Sequence, residues 1–134
     1  MSTIPPVLNF MQWIEDNKDQ LKPPVGNKAM RVGNDFIVMV VGGPNKRNDF
    51  HYEPYEEWFY QIKGNMHVNI VVDGKIQRID IREGETWLLP GNTPHSPQRP
   101  EEGSIGLVIE RVRDEGTLEK FQWYCENCNH LVHE

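Results

Sequence analysis

The sequence has no long apolar segment, few cysteines and a shortage of positive charge. Its longest apolar run covers residues 36–41, far short of the roughly 20 residues that a membrane-spanning helix needs. Fourteen lysines and arginines face 20 aspartates and glutamates, a formal net charge of −6, which disfavours binding to nucleic acid or an anionic membrane. The only cysteines, Cys125 and Cys128, form one Cys-x-x-Cys pair, unlike a secreted disulfide scaffold. Because the N-terminus also lacks the layout of a signal peptide, we expect a cytoplasmic protein.

The length and composition predict one soluble globular domain. The chain has 134 residues, of which 37% are hydrophobic and 25% charged, enough for one core and too little for two ordinary domains. A short N-terminal helix is predicted after Asn9, a plausible N-cap, because the residues that follow are apolar at helical spacing. Pro23 and Pro24 are expected to end it.

The sequence pattern of residues 29–112 predicts β structure throughout this segment. Strands are predicted at residues 36–41, 57–62, 66–72, 75–81, 86–89 and 106–112, the first of them buried because it is apolar throughout. Asp73-Gly74 joins two of these runs and is a preferred hairpin turn. Short strands separated by such turns predict a β-sandwich or barrel.

Two further segments break this pattern. Residues 92–103 hold three prolines and are predicted to form a loop, the kind of segment where functional residues concentrate. Residues 117–124 are expected to be helical or irregular and lead into the Cys-x-x-Cys pair. We therefore divide the chain into a main domain at residues 1–114, including the N-terminal helix, and a tail at residues 115–134.

Polar and ionisable residues crowd into residues 47–57 and 90–99, each beside an apolar strand. His51, Glu57 and His95 together offer two imidazoles and one carboxylate, a set typical of non-haem Fe(II) sites that use oxygen. On chemistry alone, Glu53 and Glu56 compete with Glu57 for the carboxylate position.

The spacing of these residues resembles the two motifs of the cupin superfamily. One motif is His51-x-Glu53-x3-Glu57-x6-Gly64, and the other is Gly84-x5-Pro90-x4-His95. The resemblance implies a mainly β, single-domain fold, the double-stranded β-helix or jelly-roll barrel, which holds one metal ion in its mouth. Glu53 stands where many cupins have a second histidine, and Gly91 lies one place early in the second motif. The loss of that histidine argues against the cupins with three histidines and a glutamate.

Longer pieces resemble the bacterial type of the 3-hydroxyanthranilate 3,4-dioxygenases over essentially the whole chain. They include KPPVGN at residues 22–27, VVGGP at 40–44, EWFYQ at 57–61, HSPQRP at 95–100 and VIER at 108–111. The resemblance implies an Fe(II) enzyme that opens the ring of 3-hydroxyanthranilate with O2. Its product, 2-amino-3-carboxymuconate semialdehyde, is the precursor of quinolinate in NAD biosynthesis and the kynurenine pathway. A homodimer is also implied.

The resemblance assigns roles to residues one by one. His51, Glu57 and His95 would be the Fe(II) ligands, and Asn27 would belong to a loop that covers the site and contacts substrate.

Three charged residues would bind substrate and take part in catalysis. Arg99 would clamp the substrate carboxylate, Glu110 would lie near the hydroxyl and amino groups and help to move a proton, and Arg47 would stabilise developing negative charge. Each has an ordinary alternative. Arg47 could be one end of a solvated pair with Lys46, and Arg99 and Glu110 could form a structural ion pair.

The tail departs from the family pattern. The resemblance implies that Cys125 and Cys128 are half of a rubredoxin-like four-sulfur metal site, and the sequence reaches Glu134 without a second cysteine pair. We therefore expect no closed second site of iron or zinc here unless another cysteine pair is supplied. His130 and His133 are weak substitutes, so a disulfide or two free thiols is the expected state.

Two other functions remain open from the sequence. One is a cupin module that binds a small molecule without catalysis. The other is a cupin enzyme with a different substrate, such as a thiol dioxygenase or a sugar isomerase.

Overall fold

A computed structural model of the protein describes residues 4–23, 26–113 and 116–134. Within these ranges the chain forms one α-helix, α1 (Phe10–Asn17), continued by a 3-10 turn at Lys18–Gln20, and eleven strands. The strands are β1 (Asn27–Val32), β2 (Phe36–Gly42), β3 (Phe50–Tyr52), β4 (Glu57–Lys63), β5 (Met66–Val72), β6 (Lys75–Ile81), β7 (Thr86–Leu89), β8 (His95–Gln98), β9 (Ile105–Arg111), β10 (Lys120–Tyr124) and β11 (Leu131–His133).

The N-terminal helix begins at the predicted position, and its 3-10 continuation ends at Gln20, before the predicted stop at Pro23; Pro24 lies outside the described residues. The side chain of Asn9 accepts a hydrogen bond from the backbone N–H of Gln12 at 3.0 Å, which satisfies one of the free amides of the first turn. Ile14 and Leu21 are buried and pack with Val40 of β2. The helix therefore covers the outer face of one sheet and stays away from the interior between the sheets.

The strands form two antiparallel sheets that face each other. The first has the order β1-β2-β9-β4-β7, and the second has the order β11-β10-β3-β8-β5-β6. Alternate residues of both sheets point inward and build one core, as expected for a β-sandwich or closed barrel. The buried members of that core are Phe59, Met66, Val68, Ile70, Ile81, Leu89 and Val108. The prediction of a mainly β fold is thus confirmed.

The hairpin between β5 and β6 lies at the predicted residues. Asp73 and Gly74 both have positive φ, 51° and 74°, as a two-residue turn of this class requires. The strands pair from Val72↔Lys75 to Met66↔Ile81 without a break.

Three local predictions were wrong. The proline-rich segment contains β8, in which Pro97 pairs opposite Val68 of β5. The segment expected to be helical or irregular contains β10, which lies beside β3. Strand β2 is only partly buried, and Phe36 at its start is 59% exposed, because its outer face projects beyond the helix that covers Val40.

The predicted boundary between domain and tail falls on residues 114 and 115, which lie outside the described residues. That division stays a prediction. No helix in the described ranges is long and apolar enough to cross a membrane.

Candidate active site

A cavity of about 280 Å3 opens between the two sheets at one end of the barrel. Every predicted substrate and catalytic-metal residue lines it, namely Asn27, Arg47, His51, Glu57, His95, Arg99 and Glu110. A larger groove of about 620 Å3 lies on the other side of Arg47, which lines both. The ionisable groups converge in the smaller cavity, so we place the chemistry there.

His51, Glu57 and His95 meet across the gap between the sheets. His51 and His95 are directly paired residues of β3 and β8 in the second sheet, and their ring centroids are 5.4 Å apart. Glu57 begins β4 in the first sheet, and its Oε1 lies 3.6 Å from Nε2 of His95. All three are buried, and one ligand atom from each lies within 4.8 Å of the others. This trio could hold a metal ion.

The loops before β4 and β8 support this arrangement. The Nδ1 atom of His95 lies 2.9 Å from the carbonyl oxygen of Thr93. Because a carbonyl only accepts, Nδ1 must carry the proton, which leaves Nε2 free for a metal. At Gly91, a Cβ atom would lie 2.2 Å from the carbonyl oxygen of Pro54. Gly91, which lies one place early in the cupin motif, therefore allows the loops before β4 and β8 to touch.

The electrostatics of the trio favour a cation. Burial alone would raise the pKa of Glu57, but the close imidazoles of His95 and His51 hold it below its usual value. Burial would likewise lower the pKa of His95, and Glu57 outweighs it and raises that pKa. Burial also raises the pKa of Glu53. Buried carboxylates held this close together are stabilised by a nearby positive ion.

The structure distinguishes Glu57 from the two other glutamates, Glu53 and Glu56, that could supply the carboxylate ligand. Glu56 is exposed, whereas Glu53 is buried and close enough to His51 and Glu57 to join a ligand cluster. Its Oε2, however, lies 2.6 Å from Nε of Arg113. A carboxylate paired with a guanidinium is less available to a metal, so Glu57 is the better ligand.

Arg99 supplies a buried positive charge that lacks a full set of partners. Its backbone is fixed by a β-bridge to Asn45, and the residue is 4% exposed. Neither Nε nor Nη2 has a hydrogen-bond partner among the described residues. Burial lowers the pKa of Arg99 to about 10, so it stays charged near neutrality. The expected alternative, a structural ion pair with Glu110, does not satisfy these two atoms.

Glu110 and Arg47 line the same cavity with different partners. Glu110 lies opposite Glu57 on the neighbouring strand, and burial, reinforced by the charge of Glu57, raises its pKa to about 7. Arg47 donates from Nε to Oδ1 of Asp49 at 3.2 Å, and its backbone is bonded to the side chain of Gln98 on β8. Asn27 begins β1 at the cavity edge, and part of the loop before it, residues 24 and 25, lies outside the described residues.

Three residues of the cavity region escaped sequence reasoning. Arg113 follows β9, while Glu119 and Phe121 lie beside and within β10. Arg113 and Phe121 line the cavity, and the Glu119 carboxylate contacts His51 at 2.8 Å. The aromatic residues 121, 123 and 124 were a signal for a strand, but nothing in the sequence showed which strand it would join.

The donor set fits the metal that the resemblance implies. Two imidazoles and one carboxylate leave several coordination positions open, the arrangement typical of Fe(II) oxygenases. The fixed tautomer of His95 and the surplus of buried carboxylates both suit a divalent cation.

The cysteine pair lies away from this cavity, in the turn between β10 and β11. Both thiols are free. Hydrogen bonds from the backbone N–H and the side chain of Cys128 lower the pKa of the Cys125 thiol. Among the described residues, no metal-ligand cluster of three or more side chains includes either cysteine. That a closed second metal site needs a further cysteine pair stays a prediction.

Comparison with known proteins extends this picture. Solved structures with low sequence identity share the fold. A cupin-2 domain protein from Shewanella frigidimarina is 19% identical, with a TM-score of 0.57 over 80% of this chain and 95% of that one. Protein NMB1881 from Neisseria meningitidis is 18% identical, with a TM-score of 0.59 over 81% of this chain and 100% of that one. The fold is therefore a cupin barrel.

The sequence has much closer relatives. A protein from Paraburkholderia phytofirmans named 3-hydroxyanthranilate 3,4-dioxygenase is 54% identical over 125 residues, which are 93% of this chain and 72% of that one. The model of the 3-hydroxyanthranilic acid dioxygenase family matches residues 1–134. With its His-Glu-His trio in the mouth of a cupin barrel, this chain belongs to the 3-hydroxyanthranilic acid dioxygenase family.

Proposed function

We propose that this protein is an Fe(II)-dependent 3-hydroxyanthranilate 3,4-dioxygenase. It would open the aromatic ring with both atoms of O2 and release 2-amino-3-carboxymuconate semialdehyde. The observation that carries this proposal is the buried Arg99 guanidinium, which lines the same cavity as the His51, Glu57 and His95 trio and has two polar atoms without partners. An anionic aromatic substrate supplies the missing acceptor.

The trio supports the choice of metal. Iron bound by His51, Glu57 and His95 would supply a redox-active centre that brings an electron-rich aminophenol and O2 together. The two histidines come from one sheet and the glutamate from the other, so the ligands sit on rigid strands. Such a scaffold holds the reactants in place and removes much of the entropic cost of their encounter.

Arg99 fixes the substrate by its carboxylate. A guanidinium matches a carboxylate with two parallel hydrogen bonds, and both are strong where water is excluded. Because Arg99 is already buried and its backbone is fixed by the bridge to Asn45, part of the ordering cost of binding is removed before substrate arrives. The protein is acidic overall, with a net charge of −6, so this local charge is what attracts an anion.

Glu110 handles the proton of the substrate hydroxyl. Its carboxyl lies beside Glu57, where the substrate hydroxyl and amino groups would face the metal ligands. With a pKa of about 7, it can accept a proton from the hydroxyl oxygen near neutral pH and return it later.

The remaining wall combines one cation with apolar side chains. Arg47 supplies positive charge at the cavity wall, where it would stabilise negative charge that develops during ring opening. Its contact with Asp49 holds the guanidinium at the wall before substrate arrives. The apolar lining of Met39, Val41, Phe59, Pro97 and Val108 excludes water from the reactive product.

The proposal also covers the fate of the product. The product would close without an enzyme to quinolinate, a precursor of NAD in the kynurenine pathway. The homodimer and the cytoplasmic location stay predictions, as does the role of Asn27 in a covering loop.

Oxygen uptake tests the proposal. The metal-free chain is loaded with Fe(II) without air and mixed with 3-hydroxyanthranilate, and then O2 loss and ring-opened product are followed together. We expect one O2 consumed per product formed. His95→Ala is expected to abolish both, whereas the exposed His130 serves as a matched control, since His130→Ala should leave both unchanged.

Other outcomes separate the alternatives. If iron binds and neither O2 nor substrate is consumed, the chain is a non-catalytic cupin module. If O2 is consumed only with another substrate, such as a thiol, the chain is a cupin enzyme of different specificity.

A further inference from the structure

The metal-ligand candidate His51 sits on a strand that is held mainly by the C-terminal segment. Strand β3 has three residues and pairs with β8 through one residue pair, His51↔His95. On its other side it pairs with β10 through Lys120↔Tyr52, Phe121↔His51 and Gln122↔Phe50. Because a short strand with one partner pair is poorly fixed, β10 is the element that sets the position of β3.

The side chains of the paired residues Phe121 and His51 are also in contact. The Phe121 ring is stacked on the His51 ring, with centroids 5.0 Å apart and planes 17° from parallel. Phe121 is 44% exposed, so solvent reaches the part of the ring that does not face the site. The stacked face is the contact that Phe121 makes with the His51 ring.

Two charged residues reach the edge of the same ring. The Oε2 atom of Glu119, just before β10, lies 2.8 Å from Nε2 of His51. That oxygen is also 2.8 Å from Nε of Arg113, which in turn binds Glu53. Arg113 therefore gives Glu119 a second partner, to which the carboxylate stays bound if the ring nitrogen turns to a metal.

We propose that Phe121 is a positioning residue for the metal centre and fixes the plane of the His51 imidazole. A free imidazole rotates about two bonds, and that freedom is lost when a metal binds. Stacking against Phe121 removes part of it in advance, whichever ring nitrogen is the ligand. This inference deepens the proposed function and rests on its metal site.

Cobalt binding tests the role without relying on turnover. The metal-free chain of residues 1–134 is titrated with Co(II), and both the dissociation constant and the visible bands of the bound ion are recorded. We expect Phe121→Ala to bind Co(II) about tenfold more weakly or worse, the loss typical for residues that orient ligands, and with altered bands. Phe121→Tyr keeps the flat ring and should restore affinity to within about twofold of the original chain.

Two more variants make the result specific. Phe121→Leu fills similar space without a flat ring and is expected to behave like Phe121→Ala, so it also replaces that variant if the alanine protein folds poorly. Val132→Ala changes an exposed residue of β11 and should leave binding unchanged.

The outcomes are distinguishable. Equal Co(II) affinity and equal bands in Phe121→Ala and the original chain would overturn the positioning role alone. Full recovery in Phe121→Leu would overturn it too, since volume rather than stacking would then suffice. If the original chain binds no Co(II), the metal site itself fails and this inference with it.

Discussion

Glu57 and Glu110 lie directly opposite each other on the adjacent strands β4 and β9. Two carboxylates in this position repel each other, and burial adds to the cost when both are charged. The arrangement is tolerable when a cation sits beside Glu57 or when Glu110 holds a proton. Such a pair of buried, mutually repelling carboxylates destabilises the fold and is typical of a functional site.

Replacing one of these carboxylates should separate stability from activity. In Glu110→Gln the repulsion is gone, so we expect the free energy of unfolding of the metal-free protein to rise by up to about 1 kcal/mol. Turnover should fall strongly because no group is left to take the hydroxyl proton. Chemical denaturation and oxygen uptake measure the two effects. A less stable variant with unchanged turnover would contradict both expectations.

Arg99→Met tests the cost of burying a guanidinium whose Nε and Nη2 atoms have no hydrogen-bond partner among the described residues. Methionine fills much of the same space without a charge, and a buried charged group costs free energy when its polar atoms lack partners. We expect the free energy of unfolding without substrate to stay equal or rise. A loss of more than about 2 kcal/mol in urea unfolding would show that Arg99 has a structural partner.

Gly91→Ala probes the contact between the two loops that precede β4 and β8. A Cβ there would collide with the carbonyl oxygen of Pro54 at 2.2 Å, so the loops must move apart at a cost of about 1–3 kcal/mol. Since these loops carry Glu57 and His95, Co(II) affinity should fall as well. Gly33→Ala is the milder control, because its Cβ would lie 3.2 Å from the carbonyl oxygen of Phe36. Equal effects at the two glycines would refute this account.

Metal binding should stabilise the fold through the trio. A ligand that binds only the folded state at 100 times its dissociation constant adds about 2.7 kcal/mol, so the melting temperature of the chelator-treated chain should rise when Co(II) is added. His51→Ala should lose this rise, and His130→Ala should keep it. A rise of equal size in both variants would place the metal elsewhere.

Local signals predicted those parts of the fold that depend on local physics. Asp73-Gly74 can adopt the positive φ angles of a two-residue turn, and Asn9 can cap a helix. Both signals were correct because neither depends on distant residues. The trio was predicted differently, from the resemblance to the cupin motifs, because the chemistry of the residues alone left Glu53 and Glu56 in competition with Glu57.

The predictions that were wrong concerned strands whose partner strands are remote in sequence. Pro97 argued for a loop because proline is rare in a central strand, yet β8 lies between β3 and β5. Phe121 belongs to a strand whose partner is 70 positions earlier in the sequence, as the register Phe121↔His51 shows. No local pattern specifies such a pairing, so the contacts of Phe121, Glu119 and Arg113 with the site emerged only from the structure.

The most direct test of the central claim compares two substrates in two proteins. 3-Hydroxyanthranilate and 2-aminophenol differ only in the carboxylate that Arg99 is proposed to bind. We measure kcat/KM for ring opening of each by the Fe(II)-loaded chain and by Arg99→Met. Each of the two charged hydrogen bonds to the carboxylate contributes about 1.5–3 kcal/mol, so the original chain should prefer 3-hydroxyanthranilate by about 100-fold or more, and the variant should lose most of that preference. An equal preference in both proteins, or no ring opening of 3-hydroxyanthranilate by the original chain, would contradict the account.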